Sequence, residues 1–153
     1  MRRGLLQTRR IYNDKPMGTQ GIAINMRHPP LDDVRIRKAL CFLQDRAKLI
    51  EKLFFNEYKP LDSYYAGSQF ANPNNEPIRY NPGKAKTLLE EAGWKQRDSD
   101  GVLVQGGKRL EFEILYSGKT IERVLTVFQE DCMRAGVKIR LKEINPATMF
   151  QSV

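Results

Sequence analysis

The stretch Gly18–Arg46, GTQGIAINMRHPPLDDVRIRKALCFLQDR, decides how the rest of the chain is read. Ile22 and Ile24 alternate with Ala23 and Asn25, the period of a short strand. Pro29-Pro30 cannot continue a ladder and push the preceding residues toward extended geometry. Asp32 or Asp33 then offers an N-cap carboxylate at the positive end of a helix. Ile36, Ala39, Leu40 and Leu43 follow at helical spacing. A strand therefore feeds a capped helix that must pack on something.

Downstream, Leu49, Ile50, Leu53 and Phe54 form a second apolar stripe. Asp45 either caps a second helix or lies on the exposed side of one long helix. Residues 56–80, NEYKPLDSYYAGSQFANPNNEPIRY, sustain no period and are rich in Pro, Asn, Gly and Ser. A loop of that length in a small domain is usually functional or wraps another part of the protein. Tyr58, Tyr64 and Tyr65 lie in it and Tyr80 closes it. They are placed either to meet a ligand or, the commoner use, to pin the loop to the core.

Asn81-Pro82 reads as a helix start, with Ala85, Leu88, Leu89 and Ala92 as its apolar face and Gly93 as its stop. Trp94 is placed to pack over that helix end, and Lys95–Asp100 reads as a polar turn. Val102–Val104 and the residues from Leu110 onward read as hairpin strands around Gly106-Gly107. Leu110–Tyr116 alternates as a strand, and Thr120 can cap a helix carrying Ile121, Val124, Leu125, Phe128, Cys132 and Ala135. Gly136 ends it, and Val137, Ile139 and Leu141 alternate in a second strand. This is a βαβ unit with parallel strands. Glu111 and Glu113 would then face Lys138, Arg140 and Lys142 across one sheet face.

The length of 153 residues suffices for one domain with a real core, and 41% hydrophobic residues is ordinary for a globular chain. No apolar run approaches the ~18–20 residues of a membrane span. The basic start MRRGLLQTRR is followed only by Leu5-Leu6, too little for the apolar core of a secretory leader. That leaves a cytosolic chain or a piece of a longer exported one. The ending PATMFQSV reads as the onset of a helix, which suggests truncation. Net charge is +8, but Lys and Arg are spread through nearly every segment, often beside acids, with no interleaved aromatics. No nucleic-acid partner is expected.

No catalytic set is legible. The single histidine, His28, abuts Pro29-Pro30 with no nucleophile placed near it. Gly106-Gly107-Lys108 lacks the spacing of a phosphate-cradling loop. Cys41 and Cys132 fall in helical patterns without partners at metal-ligand spacing, and read as buried free thiols, with an inter-helix disulfide left open. Neither an enzymatic activity nor a metal or cofactor is expected.

The order of motifs adds what the chemistry does not. PPLDDVRIRKALCFLQDRAKLIEKLF (29–54) resembles the segment P-F-x-D-x-R-V-R-x-A-L-x-x-A-x-D-R-x-x-I of family 5 extracellular solute-binding proteins, the peptide- and nickel-binding receptors of bacterial ABC importers. Pro30, Asp33, Arg35, Arg37, Ala39, Leu40, Asp45, Arg46 and Ile50 carry the match. YNPGKAKTLLEEAGW (80–94) is similar to the family's Y-x-P-x-K-A-K-x-L-L-x-E-A-G-W/Y, and G-V-K-I-x-L follows in order at 136–141. The departures are Leu31 for Phe, Gln44 for a small or apolar residue, and Cys41. GTQGIAINMRHP, LDSYYAGSQFAN and the DGVLV hairpin look like the oligopeptide-binding group that includes microcin C and murein-peptide receptors.

The resemblance implies an α/β fold, a periplasmic-binding-protein type II-like lobe with a mixed sheet, a βαβ unit and flanking helices. It implies that residues 1–17 are a hinge-proximal connector and 18–153 a partial second lobe. The solute, a peptide or similar small molecule, would bind between two lobes and be delivered to ABC permease subunits. The setting would be periplasmic or membrane-anchored and extracytoplasmic. By position, Gln20 near the hinge and Tyr64 and Tyr65 in the long loop are the ligand contacts it points to. The same fold also serves as the ligand-sensing domain of some transcriptional regulators, which stands as the alternative. Exposed lobe surface leaves room for self-association.

Overall fold

Asp33 starts the first helix. In the computed structural model, which describes residues 9, 11, 20–66 and 68–145, its Oδ1 accepts the Arg35 N–H at 2.8 Å and α1 runs Val34–Leu43. The Arg35 guanidinium folds back on the same carboxylate, with Nη2 to Oδ2 at 2.6 Å. Its Nη1 donates to the carbonyl of Glu91 at 2.6 Å, across to the end of a later helix. Arg37 donates to the carbonyls of Leu31 and Asp32, at 2.8 and 2.7 Å, and so clamps the turn after the proline pair. These motif residues are committed to architecture.

The Arg35 side chain beside Asp33 holds that carboxyl below the usual aspartate range. A lowered folded value means that the stabilisation is complete above the unfolded value, near 4, and fades as pH falls through the folded one. Asp33→Ala is expected to cost about 1 kcal/mol at neutral pH. Urea titrations should find that gap constant above about pH 5 and narrowing below it.

Asp45 caps a separate helix, α2 (Arg46–Phe54), accepting the Lys48 N–H at 3.0 Å. Extended backbone at Gln44 divides it from α1, so two helices form, not one long one. The expected strand at Ile22–Asn25 does not form: residues 20–25 carry no regular structure. Alternation sets the faces of a strand, but its ladder needs a neighbour, and none pairs with this segment among the described residues. The Pro29-Pro30 peptide bond is cis.

α3 (Pro82–Glu91) begins as its sequence predicts, with Asn81 Oδ1 accepting the Lys84 N–H at 2.9 Å and Pro82 in the first turn. Gly93 follows at φ +96°, and the Trp94 N–H then closes on the Leu89 carbonyl at 2.9 Å. Trp94 is buried. The polar turn at Lys95–Asp100 contains a short strand, β1 (Gln96–Arg97), antiparallel to β2 (Leu103–Gln105). β2 turns into β3 (Lys108–Arg109) through Gly106 and Gly107, both at positive φ. The two-residue hairpin turn requires that conformation at both positions.

β4 (Glu111–Tyr116), α4 (Lys119–Ala135) and β5 (Lys138–Glu143) form the predicted parallel βαβ unit, with Glu111 opposite Lys138 and Tyr116 opposite Glu143. Thr120 does not cap α4. The helix starts two residues earlier than that cap would place it, behind Gly118 at φ +93°, without a side-chain cap. The charge ladder is present: Arg140 Nε meets Glu111 Oε1 at 2.9 Å and Lys142 Nζ meets Glu113 Oε1 at 3.7 Å.

The three-stranded antiparallel sheet and the two-stranded parallel sheet meet at Leu110. Its N–H donates to the Leu103 carbonyl at 2.8 Å and its carbonyl accepts the Lys138 N–H at 3.0 Å. The Leu103 N–H donates to the Gly136 carbonyl at 2.8 Å, closing the junction. The mixed sheet is thus two short sheets joined at Leu110, between β3 and β4.

The core gathers Ile36, Ala39, Leu40 and Leu43 of α1, Ala85 and Leu89 of α3, Trp94, Leu103, Leu110, Phe128, Cys132, Val137 and Ile139. Both cysteines are free. Cys132 is buried as expected, and burial pushes its thiol up. Cys41 is exposed, against expectation, because it lies off the 36-39-40-43 stripe that α1 buries.

The chain divides into two compact units, residues 1–21 with 61–77, and residues 22–60 with 78–153. Every helix and strand named above lies in the second. The helix read from PATMFQSV, and the connector read at 1–17 apart from Arg9 and Ile11, lie outside the described residues.

Candidate functional site

The loop Leu61–Pro77 of the first unit is held by its own polar side chains. Asn75 Nδ2 donates to the Asp62 carbonyl at 3.0 Å, drawing the two ends of the loop together. Asn72 Nδ2 donates to Asn75 Oδ1 at 2.9 Å, and Asn72 Oδ1 accepts the Asn74 N–H at 3.0 Å. This is the local hydrogen bonding through which Asn side chains stand in for backbone turns. Ser63 Oγ lies 3.4 Å from the Tyr65 N–H that it accepts, and the Ser68 hydroxyl donates to the Tyr65 carbonyl at 2.8 Å.

The rings of this loop are exposed as well. Tyr64 is 73% exposed and Tyr65 49%. Their rings meet near-perpendicular, 5.2 Å apart at 79°. Tyr65 also meets Phe70 at 6.3 Å and 67°. The pinning role expected of loop tyrosines is therefore not theirs. Tyr58, in the other unit, is also exposed, at 61%, with its ring 4.8 Å from that of Phe54 on α2. Gln20 is exposed and falls in the same compact unit as Tyr64 and Tyr65. Phe70 went unnoticed in the sequence, where an aperiodic loop offers no face on which to group residues. The available signal was an aromatic residue five positions beyond a Tyr-Tyr pair.

The second unit carries an open depression of about 390 Å³ between the proline turn and Trp94. Asp33 on its wall is already held by Arg35. Among the described residues, no three His, Cys, Asp or Glu side chains gather as metal ligands. No described helix is long and apolar enough to cross a membrane.

The family described as "Bacterial extracellular solute-binding proteins, family 5 Middle" matches residues 3–152. The chain belongs to this family. Family 5 is a family of binding proteins, and several relatives are named for what they bind. The nickel-binding periplasmic protein of Escherichia coli is 27% identical over 83% of this chain and 25% of its own length. The oligopeptide-binding protein AppA of Bacillus subtilis is 24% identical over 94% of this chain and 27% of its own. Among solved structures, NikA from Brucella suis in complex with Fe(III)-EDTA superposes with a TM-score of 0.76 at 25% identity, over 84% of this chain and 26% of that one. AppA from Bacillus subtilis in complex with a nonapeptide superposes with a TM-score of 0.75 at 25% identity, over 83% and 26%. The expected α/β, type II periplasmic-binding-protein lobe is thus the fold of this family 5 chain. The chain spans about a quarter of the length of the curated relatives it matches.

Proposed function

We propose that this chain is the greater part of the second lobe of a two-lobed receptor, the substrate-binding component of a bacterial ABC importer. The observation that carries this reading is the family 5 match along residues 3–152. Residues 1–17 are the connector from the hinge and 18–153 the lobe. The receptor binds a peptide or similar small solute without covalent chemistry, works on the extracytoplasmic side, and hands the solute to membrane permease subunits. A bound nonapeptide in AppA supports the peptide class. Gln20, Tyr64 and Tyr65 are the contacts proposed on this lobe. A relative in Brucella ovis named as a putative ABC transporter peptide-binding protein favours the receptor over a regulator's sensing domain.

A cleft between two lobes needs both walls, since closure orders the site between them. Calorimetry with a peptide pool is expected to give micromolar binding by the product of the complete reading frame, and little by the 153-residue chain alone. Micromolar binding by the chain alone would overturn the two-lobe reading. A helix-turn-helix encoded upstream in place of a first lobe would overturn the importer.

A further inference from the structure

Phe70 is the ring of the aromatic loop that the receptor reading leaves unused. It is 69% exposed, and one serine fixes it relative to Tyr65. The Ser68 hydroxyl donates to the Tyr65 carbonyl at 2.8 Å, and the same Oγ accepts the Phe70 N–H at 3.2 Å. The Ser68 N–H also donates to the Tyr65 carbonyl, at 3.1 Å, and the Ser68 carbonyl accepts the Ala71 N–H at 3.1 Å. Tyr65 and Phe70 are thereby set by a closed local network. Tyr65 is the middle ring, near-perpendicular to both neighbours.

Two ring planes near a right angle make a corner. A flat group laid on one ring meets the other edge-on, and these are the two arrangements that an aromatic quadrupole favours. A cation prefers converging ring faces, because the hydrogens on a ring edge are themselves electropositive. Within the loop itself an anion finds no help either. Residues 61–77 contain Asp62 and Glu76 and no Lys or Arg. The Asn72 and Asn75 side chains are engaged with each other and with the Asp62 carbonyl, so the rings supply the apolar surface of the loop, with the exposed Gln69 amide beside Phe70 as a neutral polar neighbour.

We propose that Tyr64, Tyr65 and Phe70 form one recognition corner that takes a neutral aromatic side chain of the solute. The inference rests on the receptor reading for what the solute is, and on the loop geometry for which of its groups is held. Pre-set rings lose little freedom when a partner arrives, so the corner contributes selectivity for aromatic over aliphatic or charged side chains.

The test uses the complete protein labelled with 3-fluorotyrosine or 4-fluorophenylalanine, titrated with N-acetyltryptophanamide and, separately, N-acetyllysinamide. Fluorine resonances of residues 64, 65 and 70, assigned by single substitutions to leucine, are expected to shift saturably with the indole amide and not with the lysine amide. Phe70→Ala should weaken the indole amide by about three- to tenfold, and Phe70→Tyr should restore it. No shift at these rings overturns the corner, as does equal response to the lysine amide. Unchanged affinity in Phe70→Ala removes Phe70 from it. A parallel titration with trialanine keeps the two readings apart. Trialanine binding without ring shifts sinks the corner and spares the receptor. Ring shifts in a protein that binds neither trialanine nor the peptide pool sink the receptor's peptide class and spare the corner.

Discussion

Leu110→Ala lowers the free energy of unfolding by about 3 kcal/mol, within the range for a buried leucine truncated in a packed core. Leu110 has no exposed surface and belongs to the main core cluster. Its backbone is held on both sides, by the Leu103 carbonyl at 2.8 Å and the Lys138 amide at 3.0 Å. The chain cannot collapse into the space left by the side chain without breaking those bonds, so the cavity term stays. Urea unfolding followed through Trp94, the single tryptophan, measures the loss. The slope with denaturant should be unchanged while the midpoint falls. A loss below about 1 kcal/mol would mean that the junction relaxes freely, and that the two sheets are not tied at this residue.

Gly136→Val is the second large effect, and two costs add. Gly136 sits at φ +89°, where a β-branched residue is strained by about 1–2 kcal/mol. A Cβ there would also lie 2.8 Å from Leu103 Cγ and 3.0 Å from Arg97 Cζ. Leu103 is buried and its amide is bonded to the Gly136 carbonyl, so it has little room to retreat. Overpacking of this kind costs a further ~1–3 kcal/mol. We expect about 2–5 kcal/mol in the same urea assay. Gly106→Asn is the control. It also stands at positive φ, +56°, but a Cβ there meets nothing within 4 Å, and Asn tolerates that conformation. If both variants lose the same stability, packing against Leu103 is not the cause.

What was legible in the sequence follows the range over which each feature is decided. The caps at Asp33, Asp45 and Asn81 are settled by a side chain and an amide two or three residues on; Asn81 was readable outright, Asp33 as one of two adjacent aspartates and Asp45 as one of two readings. The parallel unit was readable because Phe112 and Ile139, or Glu111 and Arg140, declare their faces by alternation alone. The failures needed a partner that local sequence does not name. Gln96-Arg97 looks like turn, and becomes strand only because Leu103 and Val104 come back beside it. Ile22 to Asn25 looks like strand, and stays irregular where no ladder reaches it. Thr120 is a good cap residue, but the helix starts two residues sooner, behind Gly118 at positive φ. Cys41 was a misreading of a readable period, since positions 36, 39, 40 and 43 leave it on the outer side. In the candidate site, composition marked Tyr64 and Tyr65. Phe70 emerged only from the ring geometry that Ser68 imposes.

The three bonds that join Leu103 to Gly136, Leu110 to Leu103, and Lys138 to Leu110 also set how this region opens. The glycine hairpin cannot peel away alone, because its inner strand hangs from the end of α4 and its outer strand continues into the parallel pair. Hydrogen exchange should therefore find the amides of Leu103, Leu110 and Lys138 leaving through one shared opening, with a common free energy and a common response to denaturant. A short hairpin that would fray early in isolation is in this way expected to open only together with the parallel pair and the end of α4.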